Sequence, residues 1–114
     1  MSVQERLLYQ DQQLTIVMAA APPGVPAVAL IGEIDASNSP VLATTLAGCR
    51  QGSYIVVDIG ELSFIDVSGL RVLVMPAVPV SQRWIRLRNV TPYQRRLLRM
   101  MGWFYQPRDH PAPL

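Results

Sequence analysis

Apolar positions along the chain fall mostly in runs of strand length, separated by polar or proline-rich crossings, with three stretches spaced as helices. Leu14-Thr15-Ile16-Val17-Met18 and Ala27-Val28-Ala29-Leu30-Ile31 read as a strand pair joined by the Pro22–Pro26 loop. Asp35-Ala36-Ser37-Asn38-Ser39-Pro40 then opens a helix, with Pro40 at the first helical position and Ser39 as its cap. Val41, Leu42, Thr45, Leu46 and Cys49 share one side of that helix, and Gly48 and Gly52 mark its end. Tyr54 to Ile59 is β-branched and aromatic, too short for a helix, and reads as a central strand buried on both faces.

Beyond that strand, Ser63-Phe64-Ile65 returns two large apolar groups towards the core, and Asp66-Val67-Ser68-Gly69 leads into a helix carried by Leu70, Val72, Leu73 and Val74. Asp66 and Ser68 are both good capping types. Pro76 arrives after about two turns and Pro79 follows, so this helix is expected to stop near Met75. Trp84-Ile85-Arg86-Leu87-Arg88 alternates as a last strand, with Ile85 and Leu87 inward and Trp84, Arg86 and Arg88 outward. Thr91-Pro92-Tyr93-Gln94 reads as a capping box, and the wheel that follows puts Tyr93, Leu97, Met100 and Met101 on one face against Arg95, Arg96 and Arg99. Gly102 supplies a left-handed stop, with Trp103 folding back onto Leu98 and Phe104 and Tyr105 extending the contact. The pattern as a whole predicts an α/β fold: a mixed four- to five-stranded sheet with about three helices packed on it, the second shortened by Pro76 and Pro79. Residues 1–105 are expected to form one domain and residues 106–114 a loose proline-rich tail.

Composition supports one hydrophobic core: the chain has 114 residues, half of them apolar. The uncharged stretch from Leu14 to Ile31 has the length of a membrane span, but its central prolines cut it into two pieces, so no span is expected. The N-terminal residues lack a basic-then-apolar pattern, so no signal peptide is expected, and the lone Cys49 fits a reducing, cytoplasmic setting. Charge is unevenly placed. Residues 1–66 set two arginines against seven carboxylates, net −5, whereas residues 67–114 set eight arginines against one, net +7. The chain contains no lysine, so every fixed positive charge is a planar guanidinium.

Catalysis is disfavoured on inventory. His110, the only histidine, lies in the expected tail, so no Ser-His-Asp arrangement or histidine-rich metal site can be assembled. No Gly-x-Ser-x-Gly elbow or phosphate-binding glycine loop occurs, and Asp35, Asp58 and Asp66, expected near one edge of the sheet, have no matching base or nucleophile. No cofactor or metal is therefore expected. The stripe of Arg86, Arg88, Arg95, Arg96 and Arg99 with Trp84 has the charge of a nucleic-acid footprint but no recognition motif, and it reads as a solvated face.

Three segments together resemble the STAS family, the domain shared by anti-sigma-factor antagonists and the cytoplasmic part of sulphate transporters. They are Gly32-Glu33-Ile34-Asp35; Asp58 with Phe64-Ile65-Asp66, Ser68-Gly69-Leu70 and Leu73; and Leu87-Arg88-Asn89-Val90-Thr91-Pro92. The resemblance covers most of residues 12–104 and implies a STAS-like sheet with a protein-docking surface at its helix starts. It implies an anti-sigma factor or related serine kinase as partner, docked through Asp35, Ser37, Asp66, Val67, Ser68, Gly69 and Leu70. Antagonists of this kind are switched off by phosphorylation at the first serine of an Asp-Ser-Ser-Gly pattern; here Val67 stands at that position and has no hydroxyl. Ser68 matches the second serine and reads either as a first-turn hydroxyl or as a displaced phosphoacceptor. A phosphate on Ser68 would gain from the helix N-terminus but meet repulsion from Asp66. The resemblance thus implies a regulator without the usual switch; an alternative is a non-phosphorylatable STAS subunit of another complex, such as a stress-signalling scaffold or a transporter regulator. A homodimer is left open.

Overall fold

A computed structural model describes residues 5–19 and 25–101. In chain order the elements are β1 (Arg6–Gln10), β2 (Leu14–Ala19), β3 (Ala27–Ile34), α1 (Ser39–Cys49), β4 (Ile55–Ile65), α2 (Val67–Val74), β5 (Ile85–Arg88) and α3 (Pro92–Met100), with a single 3-10 turn at Val80–Gln82. The five strands form one sheet in sequence order. β1, β2 and β3 pair antiparallel, while β3–β4 and β4–β5 pair parallel, with α1 and α2 as the crossovers. The expected α/β sheet is present with five strands; the one not anticipated by position is β1. Its Leu7–Leu8 doublet hides strand alternation because a register shift between Leu7 and Tyr9 places an extra residue there.

The core lies on one face of the sheet. Leu14, Ile16, Leu30, Ile55, Val57 and Ile59 point into it and are covered by Leu42 and Leu46 of α1, Leu70 and Leu73 of α2 and Leu98 of α3. The opposite face of β4 is not covered: Val56 and Asp58 are only half-buried, and Ile31 on neighbouring β3 is exposed. β4 is therefore buried on one face, not on both. Nor does it stop at Ile59. It runs on to Ile65, because register shifts against β3 between Ala29 and Ile31 and between Gly32 and Glu33 each admit an extra residue on β4. Burial along it consequently changes from every second residue at Ile55, Val57 and Ile59 to every third at Leu62 and Ile65. Phe64, expected in the core, faces outward and is exposed.

Three further expectations are corrected, two in helices and one just before β5. At α1 the cap position is Asn38, not Ser39, which is itself the first helical residue and is buried. The Asn38 amide is turned away from the helix: Oδ1 accepts from the Asp35 N–H at 2.9 Å and Nδ2 donates to the Glu33 carbonyl at 2.9 Å. α2 stops as expected, with Met75 in the left-handed region (φ 53°) directly before Pro76. In α3 the buried stripe is Gln94 and Leu98 with Leu97 and Met101 half-buried, whereas Tyr93 and Met100 face out. The wheel is turned because Gln94 is pulled inward. It completes the capping box with Thr91 and donates through Nε2 to the Ile59 carbonyl at 2.7 Å, beside the first irregularity in β4. Trp84 also packs against the core instead of facing out, with the Arg50 guanidinium 4.9 Å above its ring. The expected contacts of Gly102 to Tyr105, and the expected tail, lie outside the described residues.

Candidate functional site

Parallel pairing of β3 with β4 brings their C-terminal ends side by side, with Ile34 opposite Ile65. Each strand then turns directly into a helix, so the Asp35–Ser39 loop and the Asp66–Ser68 turn sit next to each other. The Asp66 N–H donates to the Ile34 carbonyl at 3.2 Å and ties the two turns together. A strand-to-helix crossing at the C-terminal edge of a parallel pair is the usual place for a working surface in α/β sheets.

The first turn is built around the Asp35 carboxylate. It accepts from Ser37 Oγ at 2.6 Å, from the Ser37 N–H at 2.9 Å and from Gln13 Nε2 at 3.0 Å. The Ser37 hydroxyl first, then the Ser37 N–H and Gln13, hold the Asp35 carboxyl below the usual aspartate range. Gln13 reaches Asp35 because the β1–β2 turn lies against β3. Gly32 permits this: its φ is +115°, and a Cβ there would sit 2.2 Å from the Gln13 carbonyl oxygen. The space is instead used by the Glu33 N–H, which donates to that same oxygen at 2.9 Å.

The second turn is built around Asp66. Its Oδ1 accepts from the Gly69 N–H at 3.2 Å, which is the capping bond of α2, and from the Ser68 hydroxyl at 2.6 Å. Ser68 is half-buried and its hydroxyl is spent on Asp66, so the first-turn reading describes its place in this structure. Val67 stands between them with 49% of its surface exposed, and Phe64 lies exposed at the end of β4. The resulting surface is an apolar pair set beside Glu33, Asp35 and Asp66.

Two residues expected to offer contact atoms do not reach this surface. Leu70 is fully buried, and Gly69 is buried beneath the turn, where a Cβ would meet Ile34 Cγ2 at 2.6 Å and Ile65 Cγ1 at 2.9 Å. Both hold α2 against the strand ends from below. Asp58 is likewise not part of the site. It lies on the uncovered face earlier in β4, where it accepts from Asn89 Nδ2 at 2.7 Å and from the Gly60 N–H at 2.9 Å, and pairs with Arg88 at 3.5 Å. These bonds fix the turn after β5, in which Asn89 has a φ of 59°. Phe64, which the sequence pattern turns towards the core, faces out at the edge of this surface; two irregularities in one strand leave no periodic signal for that orientation.

Chemically the site offers carboxylates, hydroxyls and apolar surface. Among the described residues no group of three or more His, Cys, Asp or Glu side chains is placed to hold a metal. Cys49 is buried on α1, where burial pushes its thiol pKa up. No helix among the described residues is long and apolar enough to cross a membrane.

A five-stranded mixed sheet with helix starts gathered at the end of its parallel pair defines an α/β domain. Residues 10–104 match the family model described as the Mlab, STAS domain, and the chain belongs to the STAS domain family. A solved anti-sigma factor antagonist from Mycobacterium paratuberculosis has the same fold, at 21% identity and a TM-score of 0.55 over 89% of this chain and 79% of that one. No curated protein matches the chain significantly.

Proposed function

We propose that the protein is a regulatory binding domain that works as an antagonist of an anti-sigma factor, docking through the Asp35–Ser37 loop and the Asp66–Ser68 turn. The observation that carries this reading is Val67: an exposed apolar side chain at the start of α2, directly after the capping Asp66, with Phe64 also exposed three residues earlier. An acidic surface with an apolar centre suits a partner with basic residues around an apolar pocket, and its charge speeds encounter. The fold shared with an anti-sigma factor antagonist supports the class of partner. Asp35 and Asp66 spend their oxygens on turn and capping hydrogen bonds, a structural use of carboxylates that favours binding over catalysis.

Val67 also removes the hydroxyl on which the family's phosphorylation switch acts, and Ser68 is a poor substitute. Its hydroxyl donates to Asp66 at 2.6 Å, so a phosphate there loses that bond and faces a carboxylate at close range. Without that switch the protein is either binding-competent at all times or regulated elsewhere, in a reducing cytoplasm. The missing switch equally favours a second reading, in which the same surface makes this chain a permanent STAS subunit of another complex. Recovery of bound proteins from the native cell separates them: an anti-sigma factor, commonly a serine kinase, supports the first, and an unrelated assembly without one supports the second. Incubation with a recovered kinase and ATP should add no phosphate, and mass spectrometry showing modified Ser68 would overturn the switchless reading.

A further inference from the structure

The described residues carry a second charged surface, opposite in sign to the first. From Val67 to Met101 there are seven arginines and no carboxylate. Three of them, Arg95, Arg96 and Arg99, line the outer side of α3, and none makes an ion pair among the described residues. Arg95 and Arg99 are one turn apart, a like-charge pair that disfavours the helix until a counter-charge arrives. Beside them Tyr93 and Met100 are 52% and 74% exposed. Tyrosine, methionine and arginine are the side chains enriched at protein interfaces, where lysine and carboxylates are depleted.

The acidic surface has the same anatomy with the charge reversed. Ile31, Phe64 and Val67 are its exposed apolar groups, and Glu33, Asp35, Glu61 and Asp66 surround them. Glu33 pairs in register with Phe64 and Glu61 with Ile31, so these four form one patch on the uncovered face that runs up to the site. Of the seven large apolar side chains exposed among the described residues, five lie in these two patches, which is what singles them out from ordinary surface. Within one chain the two patches belong to opposite faces of the sheet: α3 covers the core face through Leu98, whereas Ile31, Glu33, Glu61 and Phe64 lie on the uncovered face.

We infer that the chain associates with itself head to tail, the arginine face of α3 on one copy seating against the acidic edge around Phe64 and Glu33 of the next. Such a contact joins two different patches, so it generates closed rings or open chains of copies instead of a two-fold dimer. It takes the docking edge of the proposed function as one of its halves, so self-association and partner binding compete for Phe64.

Sedimentation of the full chain at low and high salt tests this with two double variants. Arg96→Glu with Arg99→Glu removes the basic half; Glu33→Lys with Glu61→Lys removes the acidic half. All four side chains are exposed and make no hydrogen bond among the described residues, so the fold is expected to survive, as circular dichroism checks. Wild type should gain mass with concentration at low salt and lose it at high salt. Each variant alone should remain a monomer, and an equimolar mixture should form a two-chain species and nothing larger, since one intact pair of faces remains. A wild type monomeric at every concentration overturns the inference, as does assembly that survives in either variant or a mixture that stays monomeric. A monomeric wild type that binds duplex DNA through Arg96 and Arg99 also overturns it and gives those arginines to nucleic acid. The arginine variant keeps the whole docking edge, so its partner binding reports on the proposed function separately.

Discussion

Asp35 and Asp66 do the same work at two neighbouring turns, each bonding a serine hydroxyl two residues on, yet only the Asp66 carboxylate also accepts from a helix N–H. The Asp35 carboxyl, held down by Ser37 and Gln13, favours the folded state while it is ionised. Its folded pKa lies below the ordinary value of 3.8, so that contribution is whole above the ordinary value and is lost as pH falls through the lowered one. Ser37→Ala should move the Asp35 carboxyl up towards its ordinary value in a carbon-detected NMR titration and flatten the acid-induced loss of stability. An unchanged titration would show that Ser37 is not the main cause. Glycines set the geometry beneath these carboxylates. Gly32→Ala should cost at least about 3 kcal/mol in denaturant unfolding, because it combines a left-handed backbone with a collision against Gln13. Gly69→Ala should cost about 1–3 kcal/mol by overpacking against Ile34 and Ile65. Gly69→Trp, which the sequence alone would suggest as a surface block, is expected to prevent folding, since the residue is buried.

At the scale of elements, most of the architecture was legible because burial on one face imposes a period. β2, the first half of β3, α1 and α2 follow theirs, and Met75-Pro76 ended α2 where the proline required. Much of what was not legible comes from a broken period, either an extra residue in a strand or a polar side chain drawn inward by its hydrogen bonds. The extra residues in β4 carry it past Ile59 and turn Phe64 outward, and Gln94 rotates α3 so that a polar side chain is buried while Tyr93 and Met100 are not. The candidate site was legible in its aspartates and serines, which advertise helix starts. It was misread at Gly69 and Leu70, where proximity in sequence to Val67 says nothing of depth. Gln94→Leu tests the coupling between α3 and β4. It fills the same space but leaves the Ile59 carbonyl and the Thr91 N–H without these partners, so it should lower stability by about 2–3 kcal/mol. A neutral effect would mean that α3 is held by the apolar packing of Leu97, Leu98 and Met101.

Across the whole molecule, charge divides the domain: an acidic edge where the parallel strands end, and an arginine-rich α3. A docking protein needs no catalytic group, only a rigid edge whose side chains are preset before the partner arrives, and the bonds at Asp35 and Asp66 supply that rigidity. The central claim is that the edge around Val67 binds a protein partner without a phosphorylation switch. Its most direct measurement is the affinity of the recovered partner for wild type and for Val67→Asp, each verified as folded by circular dichroism. Placing a carboxylate at that exposed apolar position should weaken binding at least about tenfold, or about 1.4 kcal/mol. Equal affinity in the two proteins would contradict the account and move the docking surface elsewhere.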